Sequence, residues 1–237
     1  MNETTRPETI VELNEILLNC RRCPRLVAWR EEVAKTKRRA YMDWTYWGKP
    51  VPGFGDPHAR LMVIGLAPGA HGSNRTGRMF TGDASGNFLY AALHRAGFAS
   101  QPHSANREDG LTLRDIYITA VVRCAPPDNK PSPEELINCR PYLLDEMRLL
   151  SNIRGIVALG SIAYNQVLTI FRQQQTPFDA PPFGHHILLR PEGNLPWVLA
   201  SYHPSRQNTQ TGRLTAAMFD QIWQTARRLL GDNPIET

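Results

Sequence analysis

Short apolar strands alternate with helices along most of this 237-residue chain. The strand-like segments are 60–65, 115–122, 155–159 and 197–200, and the helix-like segments between them are 84–97, 132–150 and 161–171. This alternation predicts a parallel sheet that is covered by helices on both faces. We therefore predict one α/β domain over residues 1–237: three α/β/α layers around a central, mainly parallel four-stranded sheet.

The two ends of the chain are predicted to be helical. Apolar residues recur at helical spacing over 8–19, a second short helix is expected over 26–33, and the last helix places Leu214, Met218, Ile222 and Ala226 on the core. The segment 35–57 is rich in basic, aromatic, Pro and Gly residues and is predicted to be a long surface loop.

Three loops that follow strands carry most of the chemically informative residues. They cover 65–83, 123–131 and 201–210. Ligands of parallel sheets bind at the carboxyl ends of the strands, so these loops are expected to meet at one cleft.

The four cysteines are Cys20, Cys23, Cys124 and Cys139. A two-residue spacing lets Cys20 and Cys23 reach one metal centre, while Cys124 ends a strand and Cys139 lies in the following helix. The residues alone leave three possibilities, which are separate core thiols, a zinc site and an iron–sulfur cluster. A four-cysteine site would join the N-terminal segment 1–57 to the α/β body.

Composition excludes several classes of protein. The chain is 41% hydrophobic and 21% charged, which is too apolar for a disordered chain. No segment approaches the roughly 20 apolar residues of a membrane span, and the N-terminus lacks the pattern of a secretion signal. We therefore expect a cytoplasmic protein with reduced thiols and no membrane partner. The net charge of +5 suggests an acidic partner such as nucleic acid.

The loop after the first long strand is dense in glycine. It reads GLAPGAHGSNRTGRMFTGDASG over residues 65–86, and it is neither a P-loop nor a G-x-G-x-x-G motif. Its backbone amides can approach a polar or anionic ligand closely.

Together, five segments resemble the uracil-DNA glycosylase superfamily, particularly its type 5 branch, which is iron–sulfur-containing and of broad specificity. The segments are 65–69, 78–83, 119–127, 158–160 and 201–209. The resemblance covers roughly residues 20–225, and the segments occur in the family's order. It implies a DNA-repair glycosylase that flips a deaminated base out of DNA and leaves an abasic site.

The same resemblance assigns the cysteines to a structural [4Fe–4S] cluster, with zinc as the alternative. It also implies removal of uracil and of hypoxanthine or xanthine. Leu66 and Ala67 stand where most members of the superfamily carry a polar residue, and Ala120 stands where strict uracil readers carry Asn. These departures put strict selectivity for uracil in doubt.

Two catalytic residues are implied by the resemblance. Asp83 would orient water or stabilise the positive sugar, although an Asp at this position can instead cap the helix that begins at Ala84. His203 would donate a hydrogen bond to the departing base. No lysine occupies a nucleophile position, so we expect hydrolysis without strand cleavage.

Base contacts are expected mostly from the loops after the first two strands. Phe80 would stack on the flipped base, with a role in the core as its alternative. The full predicted set is Gly65, Leu66, Ala67, Gly69, Phe80, Ala120 and Asn129.

Contacts to DNA are expected from one loop and from several basic residues. Residues 205–208 match the loop that wedges into the duplex in this superfamily. The predicted DNA-binding set is Arg75, Arg78, Ser205, Arg206, Gln207, Asn208 and Arg213, with the run Lys35, Lys37, Arg38 and Arg39 as further candidates. We expect a monomer that acts near the nucleoid.

Two other classes of protein stay open. One is a zinc-stapled nucleic-acid-binding module without catalysis. The other is a metal-dependent hydrolase that uses His71, His185, His186 and His203, although these histidines lack ligand spacing apart from the adjacent pair.

Overall fold

The computed structural model of the protein describes residues 6–174 and 178–232, which form eight α-helices and six strands. The helices are α1 Ile10–Leu18, α2 Pro24–Thr36, α3 Ser73–Thr76, α4 Ala84–Arg95, α5 Pro133–Leu149, α6 Ser161–Gln174, α7 Arg206–Gln210 and α8 Ala216–Leu230. The strands are β1 Phe54–Gly55, β2 Leu61–Gly65, β3 Ile116–Ala120, β4 Gly155–Leu159, β5 Ile187–Leu189 and β6 Trp197–Ser201.

The described strands form one sheet in the order β1-β3-β2-β4-β6-β5. Its four central strands are parallel and are the four that the sequence predicts. The prediction of four strands is wrong in number, because β1 and β5 add an antiparallel strand at each edge. These edge strands have two and three residues, which is too short for an alternating apolar pattern to be recognisable.

Both faces of the central sheet are buried, as a parallel sheet requires. Successive residues of a strand point to opposite faces. Met62 and Ile64 therefore share a core with residues of α1, α5 and α6, whereas Leu61 and Val63 share a second core with residues of α4 and α8. The three predicted layers are confirmed.

The N-terminal helices pack on the first of these cores. Leu13 and Leu17 of α1 and Leu26 of α2 are almost completely buried there. Apolar contact thus holds this segment on the sheet by itself, and the additional staple through the cysteines stays a prediction.

Caps fix where the main helices begin. Ser132 and Glu135 form a reciprocal capping box at the start of α5, and Pro133 occupies its first turn. This agrees with the start signal in the sequence. The start of α4 places Asp83 at the edge of the sheet where the strands end.

None of the helices in the described ranges is long and apolar enough to cross a membrane.

A buried ion pair crosses from the end of the second central strand to α5. Arg123 and Glu146 are both 1% exposed and are in direct contact. Glu146 also accepts hydrogen bonds from Thr119 Oγ1 (2.7 Å) and Tyr117 Oη (3.3 Å). These donors offset the free-energy cost of burying the Glu146 carboxylate.

Glu146→Gln should therefore destabilise the protein by roughly 3 kcal/mol, because it leaves the Arg123 guanidinium buried without a counter-charge. For a chain of this size the thermal midpoint should fall by roughly 10 °C. Calorimetry of this variant beside Glu108→Gln, a change at an exposed side chain, measures the effect. Equal midpoints for the two variants would contradict this account of the ion pair.

Candidate active site

The loops that follow the strands meet at one cleft of about 1080 Å³, as the topology predicts. Residues of the glycine-rich loop, of the turn at 128–129 and of the segment 203–207 line it together. Two further segments also line it: 38–44, of which only Arg38 was a candidate from the sequence, and 103–105, which the sequence did not point to.

Phe80 lies at the inner wall of the cleft in a conformation that is unusual for a side chain of its size. Its φ is 51°, in the left-handed region, and its ring stacks on that of His203 with centroids 5.8 Å apart. Its ring lies against Gly65, where a Cβ would come within 2.7 Å of it. A strained residue that is held this tightly is typical of a functional site.

Asp83 joins the start of α4 to the glycine-rich loop. One carboxylate oxygen accepts a hydrogen bond from the Gly86 N–H (3.0 Å), so the alternative role as a helix cap is real. The other oxygen lies so close to Gly72 that a Cβ there would come within 2.1 Å of it. Burial raises the pKa of the carboxyl group, although N–H groups at the helix start and two arginines oppose that shift. Asp83 is therefore both a cap and a carboxylate that lines the cleft.

His203 follows β6 and faces Phe80 across the cleft. Burial lowers the pKa of its imidazole to about 4, so the ring is neutral at neutral pH. Asn208 Nδ2 donates to the His203 carbonyl (2.9 Å), which fixes the loop. A neutral imidazole can donate a hydrogen bond to an oxygen on which negative charge develops.

The predicted base-binding residues divide into two groups. Leu66, Ala67, Gly69 and Asn129 line the cleft together with Phe80. Gly65 and Ala120 do not: they are paired in the sheet behind Phe80, and Ala120 is 1% exposed. Gly65 acts indirectly, because it admits the Phe80 ring.

Two of the predicted phosphate-binding arginines are buried instead of lying at the surface. Arg78 is 4% exposed and pairs with Asp109 (2.7 Å). Although burial alone favours the neutral acid, hydrogen bonds from Arg78 and from backbone N–H groups lower the pKa of Asp109 to about 2. The prediction that Arg78 contacts DNA is therefore corrected: its buried side chain stabilises the glycine-rich loop through the ion pair with Asp109.

Arg75 is also only 4% exposed, although it lies beside the cleft. Its guanidinium is held between the rings of Tyr41 and Trp44, 4.0 Å from each ring centre, and it donates to the carbonyls of His71 and Gly82 (2.8 Å each). Arg75 is thus a fixed cation at the wall of the cleft that holds two aromatic side chains in place, and its contact with DNA stays a prediction.

The remaining predicted DNA-binding residues lie at the mouth of the cleft. Ser205 caps the short helix α7, and Arg206 and Gln207 at its start are exposed and line the cleft. Arg213 is exposed, with its guanidinium 4.7 Å from the centre of the Tyr202 ring. Asn208 is occupied with the His203 carbonyl, so its observed contact is internal.

The sequence indicated Arg38 as a candidate DNA contact, but it did not predict that Tyr41 and Trp44 form a wall of the cleft beside Arg38. The signal was present, because the segment 35–57 mixes basic and aromatic residues. The position of this segment beside the cleft depends on the contact of Arg75 with the rings of Tyr41 and Trp44, and no sequence pattern predicts that contact.

All four cysteines line one small pocket between α1, α2 and α5. The Arg30 side chain, 2% exposed, donates to Cys124 Sγ (2.8 Å), and the Arg123 N–H donates to Cys139 Sγ (3.3 Å). Burial raises the pKa of Cys124 to about 11, against the effect of Arg30. A buried guanidinium beside a sulfur atom fits a centre of anionic thiolates better than it fits a neutral thiol.

Within the described ranges, no three His, Cys, Asp or Glu side chains come together as ligands of one metal ion. The histidines of the hydrolase alternative are engaged separately: His71 with Tyr46 (3.0 Å) and His186 with Thr225 (2.9 Å). His185 contacts the Tyr202 N–H (3.3 Å). Their geometry does not favour a metal-dependent hydrolase.

The fold and the site together define an α/β enzyme whose cleft holds a carboxylate, a neutral imidazole and an aromatic ring. The family model for the Uracil DNA glycosylase superfamily matches residues 52–227, and the chain belongs to this family.

Within the family, the chain is more similar to type-5 than to type-4 uracil-DNA glycosylases among the following relatives. The chain is 53% identical to the type-5 uracil-DNA glycosylase of Mycobacterium tuberculosis over 94% of this chain and 82% of that protein. It is 56% identical to the type-5 enzyme of Thermus thermophilus over 92% of this chain and 96% of that protein. A type-4 uracil-DNA glycosylase of Pyrobaculum aerophilum is 32% identical over 67% of this chain and 64% of that protein.

The lowered pKa of His203 should make the stability of the protein depend on pH. The folded ring titrates at about 4 and an unfolded His titrates near 6.5, so the unfolded chain binds more protons between these values. Lowering the pH from 7.5 to 5.0 should reduce the free energy of unfolding by about 2 kcal/mol through this residue.

Chemical denaturation of the wild type and His203→Asn at both pH values measures this contribution. The variant should lose about 2 kcal/mol less than the wild type. Burial also lowers the pKa of His71 and His185, but both proteins contain these residues, so their contributions cancel. Equal losses in the two proteins would show that folding does not lower the pKa of His203.

Proposed function

We propose that the chain hydrolyses the N-glycosidic bond of uracil in DNA, releases the base and leaves an abasic site. The observation that carries this proposal is the meeting of the Asp83 carboxylate, the neutral His203 imidazole and the Phe80 ring in one cleft. Membership of the family and the type-5 relatives support it.

The reaction begins when the target nucleotide leaves the duplex, which costs a few kcal/mol and least for a mispaired base. Phe80 offers the flipped base a ring to stack on, once the base displaces the ring of His203 that now lies there. Leu66 and Ala67 contribute an apolar wall.

Breaking the bond leaves positive charge on the sugar and negative charge on the base. Asp83, held by its cap to α4, stabilises the sugar cation or orients the attacking water. His203 donates to the base oxygen as its charge grows, and it remains neutral because of its lowered pKa. The water oxygen bonds to the sugar carbon, and the departing base takes the electrons of the broken bond. The proton that the water loses passes by way of Asp83 to solvent, and the base anion takes up one proton from solvent to leave as the neutral base.

The enzyme is a monofunctional glycosylase in this proposal. Cleavage of the strand would need an amine to form an imine with the opened sugar. The described residues that line the cleft include no lysine.

Hypoxanthine and xanthine are proposed as further substrates. Leu66 and Ala67 line the cleft and are aliphatic, so neither side chain offers a hydrogen bond that would restrict the base to uracil. Asn129, whose φ of 56° is also left-handed, lies at the cleft as a candidate contact for the base or water.

Exposed residues at the mouth of the cleft are proposed to grip DNA. Arg206 and Gln207 at the start of α7 are placed to enter the space that the flipped nucleotide leaves, and Arg213 lies on the following loop. The basic run 35–39 reaches the cleft through Arg38. We expect the enzyme to act as a monomer on chromosomal DNA in the cytoplasm.

The four cysteines are proposed to hold a [4Fe–4S] cluster, with zinc as the alternative. The cluster would supply no step of the hydrolysis. Bound by Cys20, Cys23, Cys124 and Cys139, it would join the segment of α1 and α2 to the loop after β3 and to α5. Arg30 supports this proposal, because its buried Nε has no hydrogen-bond partner among the described residues and its charge suits an anionic centre.

Protein purified without oxygen should be brown and contain four iron atoms and four sulfide ions per chain. Cys139→Ala should lose iron, colour and thermal stability together. A colourless protein that contains one zinc ion would overturn the cluster, and that result without glycosylase activity would favour the binding-module alternative.

Labelled duplexes that carry uracil, hypoxanthine or xanthine test the activity. Strands should break only after alkali or heat opens the abasic site, because the enzyme itself cleaves no phosphodiester bond. Absence of breaks on all three duplexes would refute the glycosylase, and breaks on uracil alone would refute the broader substrate range.

Asp83→Asn separates the two roles of Asp83, because Asn caps helices about as well as Asp does. The variant should keep the wild-type thermal midpoint and DNA affinity, while kcat falls by about 100-fold or more. Asp179→Asn, a change at an exposed residue, serves as the control. Full activity of Asp83→Asn would leave the residue with its capping role alone.

A further inference from the structure

The loop that holds Asp83 also carries a second imidazole that lines the cleft, and this side chain has no role in the proposed hydrolysis. His71 precedes Gly72, the residue against which the Asp83 carboxylate packs. The ring lines the cleft, and its Nδ1 lies 3.0 Å from the Tyr46 hydroxyl, whose side chain is 8% exposed.

The contacts of Tyr46 define which nitrogen of His71 carries the proton. Burial raises the pKa of the Tyr46 phenol, although the Arg38 backbone opposes that shift, so the hydroxyl keeps its hydrogen. Burial, followed by the charges of Arg38 and Arg75, lowers the pKa of His71, so that ring is neutral. The phenol then donates to Nδ1, and the hydrogen of the imidazole is on Nε2.

The Nε2–H group is free to bind a ligand. No residue in the described part of the chain makes a hydrogen bond to it, and the ring is only partly buried. An N–H donor that is fixed by a tyrosine on its other side is pre-organised for an acceptor oxygen.

The charges around His71 select an anionic oxygen. Arg38 lies on the same wall of the cleft, and Arg75 donates from Nε to the His71 carbonyl (2.8 Å) while Tyr41 and Trp44 hold its guanidinium in place. Both charges that act on His71 are positive. In the proposed reaction the base binds at Phe80 and His203, whose rings now stack on each other, so the anionic oxygen that DNA can offer beside His71 is that of a backbone phosphate.

We propose that His71 donates from Nε2 to a non-bridging oxygen of a phosphate that flanks the flipped nucleotide, with Arg38 as the counter-charge and Tyr46 as the positioning residue. This inference rests on the proposed function, since it places the nucleotide of the same reaction. It adds a phosphate subsite on the wall formed by Arg38, Tyr41 and Trp44.

The test compares binding of duplexes that contain 2′-fluoro-2′-deoxyuridine, which resists cleavage, with a neutral methylphosphonate in place of the 5′ or the 3′ flanking phosphate. Wild type should lose about tenfold in affinity on one of the two modified duplexes. His71→Ala should bind the unmodified duplex about tenfold more weakly and lose nothing further on that modified one.

Three further variants and one control make the result specific. In His71→Gln the amide nitrogen reaches the position of Nε2 and should restore most of the affinity, whereas His71→Asn should not. Tyr46→Phe keeps the imidazole but releases its orientation, so its affinity should fall between that of His71→Ala and the wild type. His94→Ala, at an exposed histidine in the last turn of α4, should bind like the wild type.

The proposal is overturned if His71→Ala and the wild type lose affinity by the same factor on both modified duplexes. It is also overturned if His71→Ala binds normally but has a reduced kcat on uracil, which would place the imidazole at the base. If wild type binds these duplexes but never releases uracil from the cleavable duplex, the proposed function fails while the phosphate contact is still measured.

Discussion

The close approach of the Asp83 carboxylate to glycines of the loop after β2 is the contact on which the site depends. A Cβ at Gly72 would come within 2.1 Å of that carboxylate, and one at Gly69 would come within 3.0 Å. The same carboxylate caps α4, so helix, loop and acid are fixed relative to one another by one side chain.

The rest of the cleft follows from the parallel sheet beneath this contact. Because β2, β3, β4 and β6 run in the same direction, their carboxyl ends bring Asp83, Asn129 and His203 to one edge. Phe80 fits between them only because Gly65 has no side chain. The chemistry is thus built on loops, while the buried central strands hold those loops at fixed separations.

Much of the fold was predictable because buried strands and capped helices leave local signals. The strand over residues 155–159 and the start of α5 match their predictions to within one residue. The edge strands and the short helices α3 and α7 were missed, since elements of two to five residues depend on their neighbours more than on their own pattern. Convergence of the loops was predictable from topology, and the roles of single residues came from the family resemblance.

For the arginines, the sequence did not predict which side chains are buried. Arg75 and Arg78 belong to a basic, glycine-rich loop and were predicted to face DNA, yet both are buried. Their burial depends on Asp109, 31 residues after Arg78, and on the rings of Tyr41 and Trp44. Net charge therefore indicated an acidic partner without indicating which cations would meet it, and the exposed residues around α7 and 35–39 are the better candidates.

The central claim is that water cleaves a base from its sugar and leaves the DNA strand intact. Mass spectrometry of a uracil-containing duplex after incubation with the enzyme tests it directly, without alkali or heat. The account predicts free uracil in equal amount to a full-length strand in which a hydroxyl replaces the base. A strand of unchanged mass, or broken strands without free uracil, would contradict it.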